Sequence, residues 1–155
     1  MTYIFGTQKA RGDAGELFLD RWFAVQFEVQ PATPQEQRQG IDRIFTHRQT
    51  GQRLAVEYKT DYKAARTGNA FIETVSVDTA GKAGWAYQSQ AAYLVYYIPG
   101  DGLIYVISLG VLRRELSRWV RAYPHRAAQN PAYATHGVLV PLDEFERHAE
   151  AVINV

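Results

Sequence analysis

One helical segment followed by a series of β-rich runs is the feature of this sequence that most limits its fold. Residues 13–25, DAGELFLDRWFAV, carry apolar side chains at helical spacing, and Asp13 is placed to cap the start of that helix. Helical spacing returns at 111–123 and, with more polar residues, from about Leu142. Strand-like runs occupy residues 23–30, 41–47, 53–59, 70–77, 92–99, 103–109 and 137–141. This order predicts an α/β fold with a central mixed β-sheet flanked by helices.

Turn-rich stretches separate these elements. RQTG at 48–51 and GDG at 100–102 each lie between two strand-like runs, and both predict a β-hairpin. Residues 31–40 and 60–69 carry turn residues and little periodic apolar content, so we expect loops there. Residues 81–90, GKAGWAYQSQ, are compatible with a short helix.

Length and composition limit the domain organisation and the partners. The chain has 155 residues, which fits one domain spanning 1–155, with residues 108–155 as a C-terminal extension of helices and strands. The absence of cysteine excludes disulfides and thiolate-bound zinc, and the four histidines have no metal-ligand spacing. No segment is apolar and long enough for a signal peptide or a membrane span. We therefore expect a cytoplasmic protein without a membrane partner.

The segment LAVEYKTD places a carboxylate and an ammonium group within an apolar strand. Side chains alternate across a strand, so Glu57 and Lys59 share one face while Tyr58 packs on the other. Asp42 lies on the partner strand of the predicted hairpin, close enough for two carboxylates to share one cation. Mg²⁺ prefers such oxygen ligands, and a neighbouring lysine can orient water or stabilise phosphate charge. The arrangement suits metal-assisted hydrolysis of a phosphodiester.

Asp42 followed by Glu57-Tyr58-Lys59 resembles the motif of the PD-(D/E)xK nuclease superfamily, the restriction-endonuclease-like proteins. The later segments TGNAFIETVS and GWAYQSQAAYLVYYIP resemble small phage and prokaryotic members of that superfamily. The likeness covers roughly residues 13–107. It implies a restriction-endonuclease-like core of αβββαβ type.

The resemblance also implies roles for individual residues. Asp42 and Glu57 would bind Mg²⁺ or Mn²⁺, and Lys59 would assist the attacking water. Glu16, on the first helix, would fill the place of a further acidic residue that often joins the metal ligands. Ile41 stands where many members carry proline.

The function implied is that of a metal-dependent deoxyribonuclease that hydrolyses phosphodiester bonds in DNA. Such a protein would act as an endonuclease or on junctions or single strands, and homodimerisation would let it cut two strands. Two alternatives stay open. One is a non-catalytic nucleic-acid-binding or assembly subunit with the same fold, and the other is a protein-interaction module of a phage or mobile element.

Each acidic or basic residue also has a purely structural explanation. Glu57 and Lys59 can form a solvated ion pair, and Asp42 can be a turn residue. The spacing from Asp13 to Glu16 is that of a capping box. Glu73 in FIETVS is either a further ligand or a partner for a loop arginine.

A near-neutral protein that cuts DNA needs a local basic surface, because its net charge is only +1. The loop after the catalytic strand offers Lys63, Arg66 and Asn69, and Gln88 follows in the next polar segment. The predicted late helix turns its basic residues away from its apolar stripe. These are Arg113, Arg114, Arg118 and Arg121. The alternative for this helix is an ordinary solvated face.

Overall fold

The bounds of the helices and strands come from a computed structural model. It describes residues 2–155, with side chains from Lys9 onward. The helices are α1 Thr2–Phe23, α2 Pro34–Arg38, α3 Ala64–Thr67, α4 Trp85–Gln88, α5 Leu109–Ala122 and α6 Leu142–His148. The strands are β1 Phe27–Pro31, β2 Arg43–His47, β3 Arg53–Thr60, β4 Asn69–Val77, β5 Lys82–Ala83, β6 Tyr93–Ile98, β7 Leu103–Ser108, β8 His125–Gln129, β9 Ala134–Pro141 and β10 Ala151–Asn154. No helix in this part of the chain is both long and apolar enough to cross a membrane.

The larger sheet has six strands in the order β1-β2-β3-β6-β7-β10. β3 runs parallel to β6, and the other neighbours are antiparallel. The parallel step needs a crossover, which the chain between β3 and β6 provides. The prediction of an α/β fold with a mixed sheet and flanking helices is confirmed, and so are the β2–β3 and β6–β7 hairpins.

A second sheet, in the order β5-β4-β9-β8, was not expected from the sequence. The residues after 108 contribute to both sheets. β8 and β9 complete the second sheet around β4, and β10 pairs with β7 at the edge of the first.

The six-stranded sheet has a different covering on each face. α1 packs Leu19 and Phe23 against Phe45, Val56 and Tyr58 on one face. The opposite face is covered by α4, α5, α6 and the second sheet, whose apolar residues form the larger core cluster. Alternation along β3 turns Val56 and Tyr58 toward α1 and Glu57 toward the larger core, so Tyr58 lies on the face opposite Glu57, as predicted.

Two predictions about the N-terminal region were wrong. α1 begins at Thr2, so Asp13 lies inside the helix and caps nothing. The strand expected over 23–30 begins only at Phe27, since Phe23 closes the helix and Val25 is exposed. Amphipathic spacing could not locate the true helix start, because residues 6–12, GTQKARG, are polar and carry no apolar stripe that would extend the helix upstream.

Two predicted loops contain short helices. In residues 31–40, the Thr33 hydroxyl accepts a hydrogen bond from the Glu36 N–H at 3.2 Å, and the Glu36 carboxylate accepts one from the Thr33 N–H at 3.0 Å. This reciprocal capping box starts α2 without any apolar face. In residues 60–69, α3 ends at Gly68, whose φ of 72° is accessible to glycine without strain.

Candidate active site

Asp42 is held against β3 by backbone and side-chain hydrogen bonds. Arg43 pairs with Val56 in the antiparallel β2–β3 ladder. Asp42, one residue before Arg43, therefore lies opposite Glu57. The Asp42 N–H donates to the Val56 carbonyl at 2.9 Å. Its carboxylate Oδ2 accepts from the N–H of Tyr58 at 2.8 Å. The hairpin therefore fixes this carboxylate beside the two charged residues of β3.

Glu57 is a buried carboxylate that is only half satisfied. Its side chain is 5 % exposed, and Oε1 lies 3.2 Å from the Lys59 Nζ. Oε2 is buried and has no hydrogen-bond partner among the described residues, since the nearby Ser89 hydroxyl donates to the Gly40 carbonyl instead. Burial raises the pKa of Glu57 above its ordinary value, Lys59 and the nearby Ser89 side chain oppose this, and the charge of Asp42 adds to it. Such a group is costly to the fold unless something binds it.

Lys59 reaches from the buried Glu57 carboxylate toward solvent. Its side chain is 36 % exposed, and Nζ lies 5.8 Å from the centre of the Trp85 ring. Burial acts to lower the pKa of Lys59, but the carboxylates of Glu57, Asp42 and Glu73 outweigh it and raise the pKa above its usual value. The lysine is therefore a stable cation at neutral pH.

Glu73 approaches this group from the second sheet. Its Oε1 accepts a hydrogen bond from the Trp85 N–H at 3.2 Å, so it binds α4 rather than a loop arginine. Gly84 makes this approach possible, because a Cβ there would lie 2.4 Å from the Glu73 carbonyl oxygen. β4 and α4 are thereby locked together next to Lys59.

Glu16 lies at the edge of the site in a cluster organised by Arg43. The guanidinium contacts Asp20 at 2.9 and 3.2 Å and Glu16 at 3.4 Å, and Asp20 also accepts from the Tyr58 hydroxyl at 3.0 Å. Burial raises the pKa of Glu16, Arg43 opposes this, and the charge of Asp42 adds to it. The capping-box interpretation of Glu16 is wrong, because this residue is in the middle of α1.

A cleft of about 350 Å³ opens beside Lys59 and runs between the two sheets. One wall comes from the end of β3 and the residues that follow it, and the other from β4 and β8. Its lining includes three further cations and four aromatic rings. They are Arg11, Lys63, Arg126, Tyr62, Phe71, Trp85 and Tyr96.

The residues predicted to bind nucleic acid divide into three groups. Lys63 lines the cleft. Two of the arginines on α5 are engaged within the protein. Arg113 donates to the carbonyls of Ala86 and Ser89, and Arg118 pairs with Glu115 and Glu144. The remaining positions do not line the cleft, and most are exposed. They are Arg66, Asn69, Gln88, Arg114 and Arg121.

Several residues of the site had no signal in the sequence that singled them out. Arg11 lies on α1 ahead of the predicted helix, and Tyr62 lies in a stretch expected to be a loop. Arg126 belongs to β8, a strand without an apolar run, whose burial alternates along its length. The residues of β8, HRAAQ, do not alternate between apolar and polar types, so the sequence carries no strand signal for them.

The residues present fit a divalent cation that keeps most of its own water. Within residues 2–155, no three His, Cys, Asp or Glu side chains converge closely enough to hold a metal ion, so Glu16 does not join Asp42 and Glu57 at one point. Mg²⁺, however, is commonly bound by one or two carboxylates together with waters and substrate phosphate. The adjacent carboxylates of Asp42 and Glu57, one with an unpartnered oxygen, meet that requirement.

Comparisons of this chain with protein-family models, with curated proteins and with solved structures give no match.

Proposed function

We propose that this protein is a divalent-metal-dependent nuclease of the PD-(D/E)xK type that hydrolyses phosphodiester bonds in DNA. The observation that carries the proposal is the Glu57 carboxylate. It is buried next to Asp42, with one oxygen on Lys59 and the other without a partner among the described residues. A burial of this kind is unfavourable for the fold, which favours a role in binding or chemistry.

The order of elements supports a restriction-endonuclease-like core. α1 is followed by the antiparallel strands β1, β2 and β3, and then α4 leads to β6, which is parallel to β3. With the intervening α2, α3, β4 and β5 left aside, these elements are compatible with the αβββαβ order that the resemblance implies. The charged residues lie on the central strand β3 and on the residue before β2, which agrees with the position of the motif in that superfamily.

Asp42 and Glu57 would hold Mg²⁺ or Mn²⁺ at this point. When bound, such an ion neutralises phosphate charge and makes water a stronger nucleophile. The two carboxylates supply the negative charge that attracts the ion. Burial of Glu57 removes competing water from one of them.

Lys59 serves as a cation rather than as a base. The surrounding carboxylates raise its pKa, so it keeps its proton at neutral pH and has no lone pair with which to accept another. It would donate hydrogen bonds to the attacking water or to a phosphate oxygen, where negative charge develops in the transition state. Its contact with Trp85 and its ion pair with Glu57 hold the ammonium group at the mouth of the cleft.

One observation favours a second candidate, a nucleic-acid-binding or assembly subunit without activity. Among the described residues, three ligands for one ion do not converge. In that case the cleft would still bind nucleic acid, but Mg²⁺ would bind no better than background.

The experiment that tests the proposal is cleavage of labelled single-stranded, duplex and branched DNA in Mg²⁺, in Mn²⁺ and in chelator. The variants are Glu57→Gln, which keeps the side-chain shape, and Lys59→Ala. Glu28→Gln is the matched control, because it removes an exposed carboxylate of β1. We expect metal-dependent cutting by the wild type and the control, and a loss of at least about a hundredfold in both site variants.

Calorimetric titration with Mn²⁺ separates the two candidates. The nuclease should bind Mn²⁺, and Glu57→Gln should weaken that binding while circular dichroism shows an unchanged fold. Equal cleavage by the wild type and both site variants would refute the assignment of the site. DNA binding with neither Mn²⁺ binding nor cleavage would favour the inactive subunit.

A further inference from the structure

Three pairs of a cation and an aromatic ring surround the cleft beside Lys59. Arg11 lies 5.4 Å from the centre of the Tyr62 ring, and Arg126 lies 4.7 Å from that of Phe71. Lys59 itself lies over Trp85. Each pair places a positive charge, which suits a phosphate, beside an aromatic ring. Tyr62 is 41 % exposed, so a planar base can stack on its ring, whereas Trp85 is buried.

The walls of the cleft are tied together rather than loosely apposed. The buried Tyr96 hydroxyl, on β6 of the first sheet, accepts from the Phe71 N–H of the second sheet at 3.0 Å and donates to Asp61. Asp61 also accepts from the N–H groups of Lys63 and Ala64 at 2.9 and 3.0 Å, which fixes the turn that carries Tyr62. The two walls of the cleft are therefore held in place before any ligand binds.

The dimensions and lining favour an unpaired nucleotide. A volume of about 350 Å³ lies at the small end of the range for ligand pockets, roughly 300–1,000 Å³, and suits one nucleotide. A duplex presents only the edges of its bases in its grooves, because their faces are stacked inside the helix. In a cleft of this size, an aromatic ring can stack only on a base that is unpaired and outside the duplex.

We infer that the cleft binds an unpaired nucleotide next to the phosphate at Lys59, so that single-stranded or locally unwound strands are the preferred substrate. The inference rests on the proposed function and names the substrate class of the same site. Tyr62 offers the most accessible ring, and Arg11, Lys63 and Arg126 follow the backbone on either side.

The test is fluorescence anisotropy in chelator, where no cleavage occurs, with single-stranded DNA, single-stranded RNA and a duplex of the same sequence. Tyr62→Ala removes an exposed ring of the cleft, and Tyr62→Phe keeps it. Tyr87→Ala is the matched control, because Tyr87 is a similarly exposed tyrosine, 52 % against 41 %, and does not line the cleft.

We expect single strands to bind more tightly than the duplex. Tyr62→Ala should weaken single-strand binding at least about fivefold, the effect of one stacked base, while Tyr62→Phe and Tyr87→Ala should leave it unchanged. Arg126→Gln should lower the slope of log K against log salt by about 0.7, whereas Arg53→Gln, exposed at the start of β3 and outside the cleft, should not. Equal binding of DNA and RNA single strands would support recognition of the unpaired nucleotide and remove the preference for DNA from the proposed function.

Two results would overturn the inference. One is duplex binding as tight as that of single strands, and the other is an equal effect of Tyr62→Ala and Tyr87→Ala. Either could occur with metal-dependent cleavage intact, in which case the nuclease stands and the unpaired-nucleotide cleft does not. Conversely, Tyr62-dependent binding of single strands without cleavage in any metal would support the cleft and refute the nuclease.

Discussion

The carboxylate of Asp42 accepts a hydrogen bond from the backbone N–H of Tyr58 at 2.8 Å. Tyr58 is the residue between Glu57 and Lys59, so this one contact holds the proposed metal ligand against both charged residues of β3. The same carboxylate therefore has a structural task and a proposed chemical one. A substitution that keeps the hydrogen bond to Tyr58 but removes the negative charge should therefore separate the structural role from the proposed metal-binding role.

We expect Asp42→Asn to keep the fold and lose cleavage. The asparagine carbonyl can still accept from the Tyr58 N–H, but its neutral amide is a poor ligand for Mg²⁺. Asp42→Ala should lose cleavage and also about 1–3 kcal/mol of unfolding free energy, because it leaves that N–H unsatisfied. Urea unfolding at pH 7 would measure the stability of both variants. Equal stability of Asn and Ala variants would show that the hydrogen bond contributes nothing.

Glu57→Gln should stabilise the protein at neutral pH, by about 1 kcal/mol, while it abolishes cleavage. The substitution removes a buried charge whose oxygen Oε2 has no partner among the described residues. Lys59, left behind, is 36 % exposed and can be hydrated. Thermal unfolding of both proteins at pH 7.5 in chelator would measure the difference, and a less stable variant would contradict it.

The difference in stability between Glu57→Gln and the wild type should depend on pH. Burial raises the pKa of Glu57 in the folded state above its ordinary value of 4.5, so the folded state binds its proton more tightly than the unfolded state. Ionised Glu57 therefore destabilises the fold above its raised pKa, and this effect disappears as the pH falls toward 4.5. The advantage of Glu57→Gln should shrink over the same interval.

The proposed catalytic residues could be predicted from the sequence because their positions depend on local rules. Alternation along β3 puts Glu57 and Lys59 on one face, and the RQTG turn sets the register that brings Asp42 opposite. The placement of Glu73, Trp85 and Arg126 around the cleft could not be predicted in this way. It depends on the pairing of β4 with β9, which joins residues some sixty positions apart and leaves little periodic signal.

Glu144 connects α5 with α6, and its charge should stabilise the fold. It accepts hydrogen bonds from Arg118, from the Trp119 indole N–H at 3.1 Å and from His148, and the bond from Arg118 is the main cause that lowers its pKa to about 2. Glu144→Gln should cost about 1–3 kcal/mol at pH 7. Urea unfolding would measure it, with Glu146→Gln, exposed on the same helix, changing stability by less than about 0.5 kcal/mol.

This contribution should depend on pH in the opposite sense to that of Glu57. The folded-state pKa lies below the unfolded value near 4.5, so the contribution is complete above pH 4.5 and is lost as the pH falls toward 2. The gap between wild type and Glu144→Gln should therefore be smaller at pH 3 than at pH 7. A gap that does not change with pH would mean that lost packing, not lost charge, causes the destabilisation.

Two glycines of α1 should respond oppositely to alanine. Gly15 is buried against β3, and a Cβ there would lie 2.2 Å from the Thr60 Oγ1, so Gly15→Ala should destabilise the protein by about 1–3 kcal/mol. Gly12 has no neighbour within 4 Å of an added Cβ, so Gly12→Ala should stabilise the helix by up to about 1 kcal/mol. Chemical denaturation of the two variants would show whether α1 packs on β3 through Gly15. If Gly15→Ala were as stable as Gly12→Ala, the close approach of α1 to Thr60 would be wrong.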